Sequence, residues 1–227
     1  MKKIGVIFGG MSTEHEVSIS SGTSIISNLD KQKYEILPIY ISKSGEWYKY
    51  TKPVNDIEPL HVGDEITELE KIENEFECLK SLDIAFPVLH GLYGEDGTIQ
   101  GLLELLKIKY VGCKVLSSSI CMDKVYAKIV FDKAQIPQAD YAYVKAEKGK
   151  YTYVHKNFDE ETLDLDQICK KIEGKLGLPV FVKPSNSGSS VGINKAENIE
   201  ELKQAIEYAS KYDTKILIEE EIVGREV

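Results

Sequence analysis

Residues 180–192 read VFVKPSNSGSSVG, an apolar run followed by a single lysine and a loop of small residues. The run Val180–Lys183 predicts a strand, and Val191–Asn194 predicts that extended structure resumes after the loop. Small residues in Ser185–Ser190 let backbone N–H groups approach phosphate oxygens closely, and Lys183 adds a positive charge. The segment is therefore either a phosphate-binding loop or an ordinary flexible hairpin. It is not a Walker A loop, in which the lysine follows the glycines and a helix comes next.

The amino-terminal half alternates predicted strands and helices. Apolar runs predict three strands, at Ile4–Phe8, Tyr34–Ile41 and Ile84–Val88. Thr13 and Glu16 form a capping-box pattern that opens a helix running to about Leu29. A second helix is predicted by the i, i+3, i+4, i+7 spacing of Ile99, Leu102, Leu103 and Leu106. Such alternation is typical of a parallel α/β sheet.

The carboxyl-terminal half has a different pattern. One helix over Ser117–Gln135, stopped by Pro137, leads into a strand pair around Lys148–Lys150. Further elements follow: a helix with Leu165, Ile168, Cys169, Ile172 and Leu176 on one face and Gly177 just after it, a helix capped by Asn198 and Glu201, and a last strand Ile216–Glu220. A domain boundary is expected near Val115–Lys124.

Composition excludes several classes of protein. The chain has 28 Lys+Arg against 37 Asp+Glu, a net charge of −9, which argues against binding to nucleic acid or to an anionic membrane. No apolar run reaches the length of a membrane span. Its 4 cysteines are scattered, which fits a reducing cytoplasm. The acidic stretch Asp56–Glu77 is expected to be a solvated loop or edge helix.

Two other segments follow predicted strands and so lie where α/β sheets bind ligands. Gly9–Ser18 reads GGMSTEHEVS, and Glu14 there could bind a ligand ammonium group; alternatively, its acids only favour the helix N-terminus. Leu89–Thr98 reads LHGLYGEDGT, and His90 is either a binding residue or a structural histidine. The G-x-G-x-x-G fingerprint is absent, which excludes a Rossmann-type oxidoreductase.

Five motifs, taken together and in order, resemble those of the D-alanine–D-alanine ligase family of the ATP-grasp superfamily. These motifs are Gly9–Ser18, Leu89–Thr98, MDK at Met122–Lys124, VKPSNSGSSVG at Val182–Gly192, and IEEEIVGRE at Ile218–Glu226. The resemblance implies an α/β fold of the ATP-grasp type. Residues 1–120 would be an N-terminal Rossmann-like substrate domain, and residues 121–227 a small α+β ATP-binding subdomain.

The resemblance also implies a reaction. ATP would phosphorylate the carboxylate of a first D-alanine, and the amino group of a second D-amino acid would attack the acyl phosphate. The product would be a D,D-dipeptide for peptidoglycan precursors. The cofactors would be ATP and Mg²⁺ (or Mn²⁺), and the enzyme would be a cytoplasmic homodimer. SGEWY at Ser44–Tyr48 is similar to the VanG-type branch, which makes D-alanyl-D-serine in vancomycin resistance.

The family motifs assign three residues to the amino-acid substrate. Glu14 would hold the ammonium group of the first D-alanine, and His90 would face its carboxylate. Ser189 would hydrogen-bond toward Glu14 and help to fix the loop over the substrates. Glu14 and Ser189 are therefore the expected catalytic residues.

The remaining assignments concern the nucleotide. Lys124 and Lys183 would contact the ATP phosphates, together with backbone N–H groups of Ser189 and Ser190. Glu219 would accept a hydrogen bond from the adenine amino group. Three further positions would complete the site: the backbone of Glu221 and Ile222 against the adenine ring, and Glu226 on the ribose hydroxyls.

One departure from the family pattern is large. The 227 residues end at Val227, whereas the family continues with a further domain. That domain holds the magnesium carboxylates, a transition-state arginine and the loop that selects the second substrate. The metal ligands are therefore expected beyond Val227, and none is assigned within this chain. We expect the chain to be part of a longer protein and to show no turnover by itself; a truncated, non-catalytic nucleotide-binding remnant is the alternative.

Overall fold

The computed structural model describes residues 1–225. These residues divide into two compact units, one spanning Met1–Ser119 and the other beginning at Ile120. Within residues 1–225, each helix is too short or too polar to cross a lipid bilayer.

The first unit is built on a six-stranded sheet whose strand order is β4-β3-β2-β1-β5-β6. Strands β2, β1, β5 and β6 run parallel, whereas β3 and β4 are antiparallel additions at one edge. The elements are β1 (Lys2–Gly9), α1 (His15–Asn28), β2 (Tyr34–Ile41), β3 (Trp47–Tyr50), a 3-10 turn (Val54–Asp56), β4 (Leu69–Lys71), α2 (Glu75–Lys80), β5 (Ile84–Pro87), α3 (Thr98–Leu105), β6 (Lys109–Tyr110) and α4 (Val115–Met122). The prediction of a parallel α/β sheet is confirmed.

Both faces of this sheet are covered, so its central strand β1 is buried and lacks charged residues from Ile4 to Gly9. Successive side chains of β1 point to opposite faces. Phe8 packs on the side of α1, against Ile19 and Ile26 of that helix. Ile7 packs on the other side, in the cluster that contains Leu79 of α2 and Leu103 of α3. This three-layer arrangement leaves the carboxyl ends of β1 and β5 as the open edge of the sheet.

The second unit is built on another six-stranded sheet, and every strand pair in it is antiparallel, in the order β11-β10-β12-β7-β8-β9. The elements are α5 (Lys124–Lys133), β7 (Tyr141–Glu147), β8 (Lys150–Val154), β9 (Glu160–Leu163), α6 (Leu165–Leu176), β10 (Val180–Pro184), β11 (Asn194–Ala196), α7 (Ile199–Ala209) and β12 (Lys215–Glu220). The cap predicted for α7 is confirmed, since Asn198 accepts from the backbone N–H of Glu201 at 3.0 Å.

The two faces of the second sheet pack against different helices. One face carries Val182 and Ile218, which join a core with Ile172 of α6 and Ile206 of α7. The other face carries Leu217 in a smaller cluster with residues of α5. This second face is less completely covered, and Lys183 of β10 and Lys215 and Glu219 of β12 lie on it.

Two helix boundaries differ from the predictions. The capping box of Thr13 and Glu16 is wrong: α1 starts at His15 after Glu14, with no side-chain cap hydrogen bond, because the preceding loop is held by Ser12 instead. The single helix over Ser117–Gln135 is also wrong. Asp123 adopts an extended conformation there and caps a new helix by accepting from the backbone N–H groups of Val125 and Tyr126.

The loop after β10 is longer than predicted. Extended structure resumes at Asn194 rather than at Val191. The reason is that Ser189 and Ser190 take left-handed backbone conformations, with φ of 48° and 59°, and the chain turns there.

A close helix–strand contact predicts the effect of one glycine substitution. A Cβ added at Gly22 of α1 would lie 2.5 Å from Cβ of Phe8, whereas one added at Gly101 of α3 would meet no atom within 4 Å. We expect Gly22→Ala to lower the free energy of unfolding by about 1–3 kcal/mol through overpacking. Gly101→Ala, the matched control, should raise it by about 0.5–1 kcal/mol through helix propensity. Urea unfolding of both variants checks this, and equal effects would contradict it.

Candidate functional site

In the first unit, the predicted substrate residues lie at the carboxyl ends of β1 and β5. The order of the parallel strands reverses between these two strands, which is the position where open α/β sheets bind ligands. Gly9 ends β1 with φ of +90°, and a Cβ there would lie 2.2 Å from the carbonyl oxygen of Ile41, so no other residue fits. The Gly9-Gly10 turn therefore brings the following loop close to the sheet.

The structure brings Glu14 and His90 into one region of this edge. Ser12 connects their segments, because its Oγ donates to the carbonyl of His90 at 2.6 Å and accepts from the backbone N–H of Glu14 at 3.1 Å. A Cβ added at Gly91 would lie 2.6 Å from Oε2 of Glu14. The Glu14 carboxylate thus lies directly over the backbone that follows β5.

His90 is half-buried and has defined partners. Its Nε2 lies 3.1 Å from Oγ of Ser21 in α1, and its Nδ1 lies 3.5 Å from Oε1 of Glu95. These contacts orient the imidazole ring. A carboxylate for an ammonium group and an imidazole for a carboxylate are together suited to an amino acid.

A cavity of about 170 Å³ adjoins these residues in the first unit. Its wall is mostly apolar and includes Gly10, Trp47, Leu89, His90, Tyr93 and Leu102. The cavity places apolar surface beside the imidazole of His90, so this edge of the sheet offers both polar and apolar contacts to a small ligand.

In the second unit, Glu219 of β12 is the centre of the predicted nucleotide site. Its Oε1 lies 2.5 Å from Nζ of Lys128, and its Oε2 is paired with Nζ of Lys183. Lys183 and Glu219 share a sheet face, because Phe181 pairs with Glu219 across the β10–β12 ladder and Lys183 is two residues further along β10. Lys128 reaches the same carboxylate from α5.

The two lysines determine the ionisation of Glu219. Burial by itself would raise the pKa of this carboxyl group, but the hydrogen bonds and charges of Lys128 and Lys183 outweigh it and hold the pKa below its usual value. Glu219 is therefore a carboxylate at neutral pH, and it can only accept hydrogen bonds.

Lys124 is held at the start of α5 by the loop that follows β10. Its Nζ donates to the carbonyl of Ser187 at 2.5 Å, and its backbone N–H donates to the carbonyl of Ser185 at 3.0 Å. Ser185 is fully buried, and its Oγ donates to Asp123 at 2.5 Å. Asp123 is also paired with Lys215. The structure thus brings Lys124 next to the loop on which Ser189 and Ser190 lie.

Hydrogen bonds hold the loop that follows β10 near both of its ends, at Asn186 and at Val191. Asp213 accepts from the backbone N–H and from the side-chain amide of Asn186, at 2.8 and 2.9 Å. The hydroxyl group of Ser187 donates to the carbonyl of Val191 at 3.0 Å. Between these points, Ser189 and Ser190 have positive φ values, a conformation of the kind that forms anion-binding concavities.

The remaining predicted positions follow β12. Glu221 pairs with Lys195 at 2.8 Å, and Ile222 is 67% exposed. Glu226 lies outside the described residues, so its contact with the ribose hydroxyls stays a prediction.

Within residues 1–225, no group of three or more His, Cys, Asp or Glu side chains comes together as a metal site. We assign none of these residues to a magnesium ion. Val227 also lies outside the described residues, and the expectation that the magnesium ligands lie beyond Val227 stays a prediction.

Sequence reasoning missed four residues of these two sites: Ser12, Asp123, Lys128 and Ser185. The spacing of the sequence could have indicated Lys128, because it follows Lys124 by four residues and so lies on the same face of a helix. The other three act through contacts with residues about sixty or more positions away, which no spacing rule indicates.

Comparison with known protein families agrees with both units. Residues 3–113 match the family described as D-ala D-ala ligase N-terminus, and residues 130–227 match D-ala D-ala ligase C-terminus. The chain belongs to the D-alanine–D-alanine ligase family.

Curated relatives match along the whole chain. The D-alanine–D-alanine ligase of Clostridium acetobutylicum is 51% identical over 228 residues, covering 100% of this chain and 62% of the relative. That of Caldicellulosiruptor bescii is 48% identical, covering 99% of this chain and 61% of the relative. The chain thus spans about six-tenths of the length of these relatives.

Solved structures give the same family. VanG D-Ala:D-Ser ligase from Enterococcus faecalis has a TM-score of 0.78 at 38% identity, covering 98% of this chain and 63% of that one. D-alanine–D-alanine ligase from Bacillus anthracis complexed with ATP has a TM-score of 0.69 at 33% identity, covering 99% of this chain and 60% of that one. The α/β fold of ATP-grasp type predicted from the sequence is confirmed.

We expect the ion pairs of Glu219 to stabilise the fold at neutral pH and to lose this contribution in acid. Glu219→Gln should lower the free energy of unfolding by about 1.5–3 kcal/mol at pH 7, because the ammonium group of Lys128 and the more exposed one of Lys183 lose a charged partner. Since the folded pKa lies below the ordinary value of 4.5, this contribution is present above pH 4.5 and is lost as the pH falls through the folded pKa. Urea unfolding from pH 7 to pH 3 measures it.

The matched control is Glu70→Gln. Glu70 forms an exposed pair with Lys49 at 3.3 Å, so its removal should cost less than about 1 kcal/mol. A loss for Glu219→Gln that is equal at pH 7 and pH 3 would contradict the assignment.

Proposed function

We propose that this chain is part of an ATP-dependent ligase that joins two D-alanine molecules into a D,D-dipeptide for peptidoglycan precursors. The observation that carries the proposal is the juxtaposition of Glu14 and His90 at the ends of β1 and β5. A carboxylate and an imidazole at this edge suit the ammonium and carboxylate groups of one amino acid. The curated relatives at 48–51% identity carry the D-alanine–D-alanine ligase name.

The reaction has two steps. A carboxylate oxygen of the first D-alanine takes the γ-phosphoryl group of ATP, which yields D-alanyl phosphate and ADP. The deprotonated amine of the second D-alanine then attacks the carbonyl carbon. A C–N bond forms, the C–O bond to phosphate breaks, and inorganic phosphate leaves. Positioning of the reactants and compensation of the phosphate charge are the main tasks of the protein.

Each unit has its own task in this proposal. Residues 1–120 form the substrate domain, in which Glu14 binds the ammonium group of the first D-alanine and His90 faces its carboxylate. Residues 121–227 form the ATP-binding subdomain. Ser189 helps to fix the loop over the substrates, and Glu14 and Ser189 are the catalytic residues.

The second unit supplies the nucleotide contacts. Lys124 and Lys183 neutralise phosphate oxygens, together with backbone N–H groups at Ser189 and Ser190. Glu219 accepts from the adenine amino group. Backbone groups of Glu221 and Ile222 form hydrogen bonds with the adenine ring, and Glu226 binds the ribose hydroxyls. Magnesium or manganese would accompany the triphosphate, and we derive no step through either ion.

D-serine is the second candidate for the acceptor. The similarity to VanG D-Ala:D-Ser ligase favours it, at 38% identity. D-alanine is preferred here because the identity to D-alanine–D-alanine ligases is higher, at 51% for the relative from Clostridium acetobutylicum. We also propose a cytoplasmic homodimer that acts on small molecules; its net charge of −9 is unsuited to nucleic acid or an anionic membrane.

Phosphate release from ATP tests this function. The complete protein should release phosphate with D-alanine alone, and adding D-serine or D-lactate should not be required. Identification of the product by mass spectrometry as D-alanyl-D-alanine supports the proposal. Turnover only when D-serine is present would favour the second candidate, and no turnover with any D-amino acid would refute the ligase function.

Glu14→Gln tests the role of the carboxylate. The substitution is nearly isosteric and removes only the charge that faces the substrate ammonium, so the KM for the first D-alanine should rise about tenfold to a hundredfold. The KM for ATP should stay within about twofold. Glu16→Gln is the matched control, since Glu16 lies in the same helical turn but pairs with Lys43 at 3.0 Å. Wild-type D-alanine kinetics with a lowered Tm would remove Glu14 from the site.

A further inference from the structure

Glu219 holds two ammonium groups, one on each carboxylate oxygen. Lys128 lies on Oε1, and Lys183 pairs with Oε2. One negative charge and two positive charges leave this cluster with one surplus positive charge. Within this cluster only Lys183 is a proposed phosphate ligand, so the proposed function leaves Lys128 without an assigned task.

Lys128 and Lys183 differ in how exposed they are and in how many further contacts fix them. Lys128 is 11% exposed, like Glu219 itself, and it makes two further contacts: its Nζ donates to the carbonyl of Ala139 at 2.9 Å and lies 5.5 Å from the centre of the Tyr141 ring. Lys183 is 27% exposed and is located next to the loop that follows β10. Lys128 is therefore the fixed partner of Glu219, and Lys183 is the exchangeable one.

We propose that Lys128 is a positioning residue for nucleotide binding: it keeps Glu219 in place and neutralised while Lys183 moves from Glu219 to a phosphate oxygen. The inference rests on the proposed function, and it adds a residue that none of the family motifs assigned. Without Lys128, the movement of Lys183 would leave a buried carboxylate without a cationic partner, which is strongly unfavourable.

A consequence for base selection follows from the same geometry. A Glu219 carboxylate held by Lys128 is an acceptor in a fixed position, suited to the 6-amino group of adenine. The 6-oxo group of hypoxanthine in ITP would place a second acceptor against it and be repelled. When Lys128 is absent, the Glu219 side chain can move together with Lys183, its remaining cationic partner. The preference for ATP over ITP should then decrease.

The test uses Lys128→Met and Lys128→Arg in the complete protein, with binding of ATP and ITP measured by calorimetry and steady-state KM values measured for ATP and D-alanine. For Lys128→Met, we expect the Kd for ATP to rise about tenfold to a hundredfold, the ATP-to-ITP preference to narrow at least about fivefold, and the KM for D-alanine to stay within about twofold. Lys128→Arg should recover most of the preference. Lys133→Met, at the exposed last turn of the same helix, is the matched control and should change none of these values.

If Lys128→Met does not fold, Lys128→Gln takes its place in all these measurements, and a double-mutant cycle with Glu219→Gln gives a second criterion. In Glu219→Gln, Lys183 has no carboxylate to leave, so adding Lys128→Met should change the Kd for ATP less than about threefold. If the Lys128 substitution raises the Kd for ATP as much in the Glu219→Gln variant as in the wild type, the proposal is overturned. An unchanged ATP-to-ITP preference in a folded Lys128→Met variant would also overturn it.

The outcomes separate this proposal from the proposed function. If the wild-type protein binds ATP but forms no dipeptide, the ligase function is refuted while the calorimetric test of Lys128 still decides its role. If dipeptide forms normally and Lys128→Met behaves like Lys133→Met, only the role of Lys128 is refuted. No binding of ATP to the wild-type protein would overturn both.

Discussion

The second unit depends on the two ion pairs that the carboxylate of Glu219 forms. This carboxylate connects three elements that are distant in sequence: α5 through Lys128, β10 through Lys183, and its own strand β12. A buried carboxylate is stable only with cationic partners, and these two lysines supply more positive charge than it needs. The same three side chains therefore stabilise the fold of this unit and form part of the proposed nucleotide site. Because the larger apolar core packs on the other sheet face, against α6 and α7, this face holds polar groups beside the smaller cluster of Leu217.

The first unit depends on backbone contacts at the ends of two strands. Ser18 of α1 donates to the carbonyl of Val88 at 2.6 Å and accepts from the backbone N–H of Gly9 at 2.8 Å. Ser12 makes a similar bridge to His90. These hydroxyl groups satisfy backbone groups that the ends of the sheet leave without a ladder partner. They also set where Glu14 lies, so the position of the candidate substrate residues follows from the way that β1 and β5 end.

Sequence reasoning succeeded where periodicity was strong and failed where side chains compete for the backbone. The alternation of strands and helices in the first half gave the parallel sheet correctly. Two helix boundaries were predicted wrongly: a capping box was predicted at Thr13, and one helix instead of two was predicted around Asp123. Asp123 accepts from Val125, Tyr126, Ser185 and Lys215, and two of these partners are about sixty or more residues away. A short window of sequence does not contain such contacts.

The sequence by itself determined the family, the fold class and the identity of the candidate residues, because the ordered motifs and the hydrophobic periodicity are local properties of the chain. Only the tertiary structure decided that Lys183 pairs with Glu219, that Lys128 completes the cluster, and that Glu14 lies over Gly91. These facts depend on strand register and on the packing of α5 across the sheet. Both are set by burial and by charge neutralisation among residues that are distant in the chain, and a linear pattern does not encode their distances.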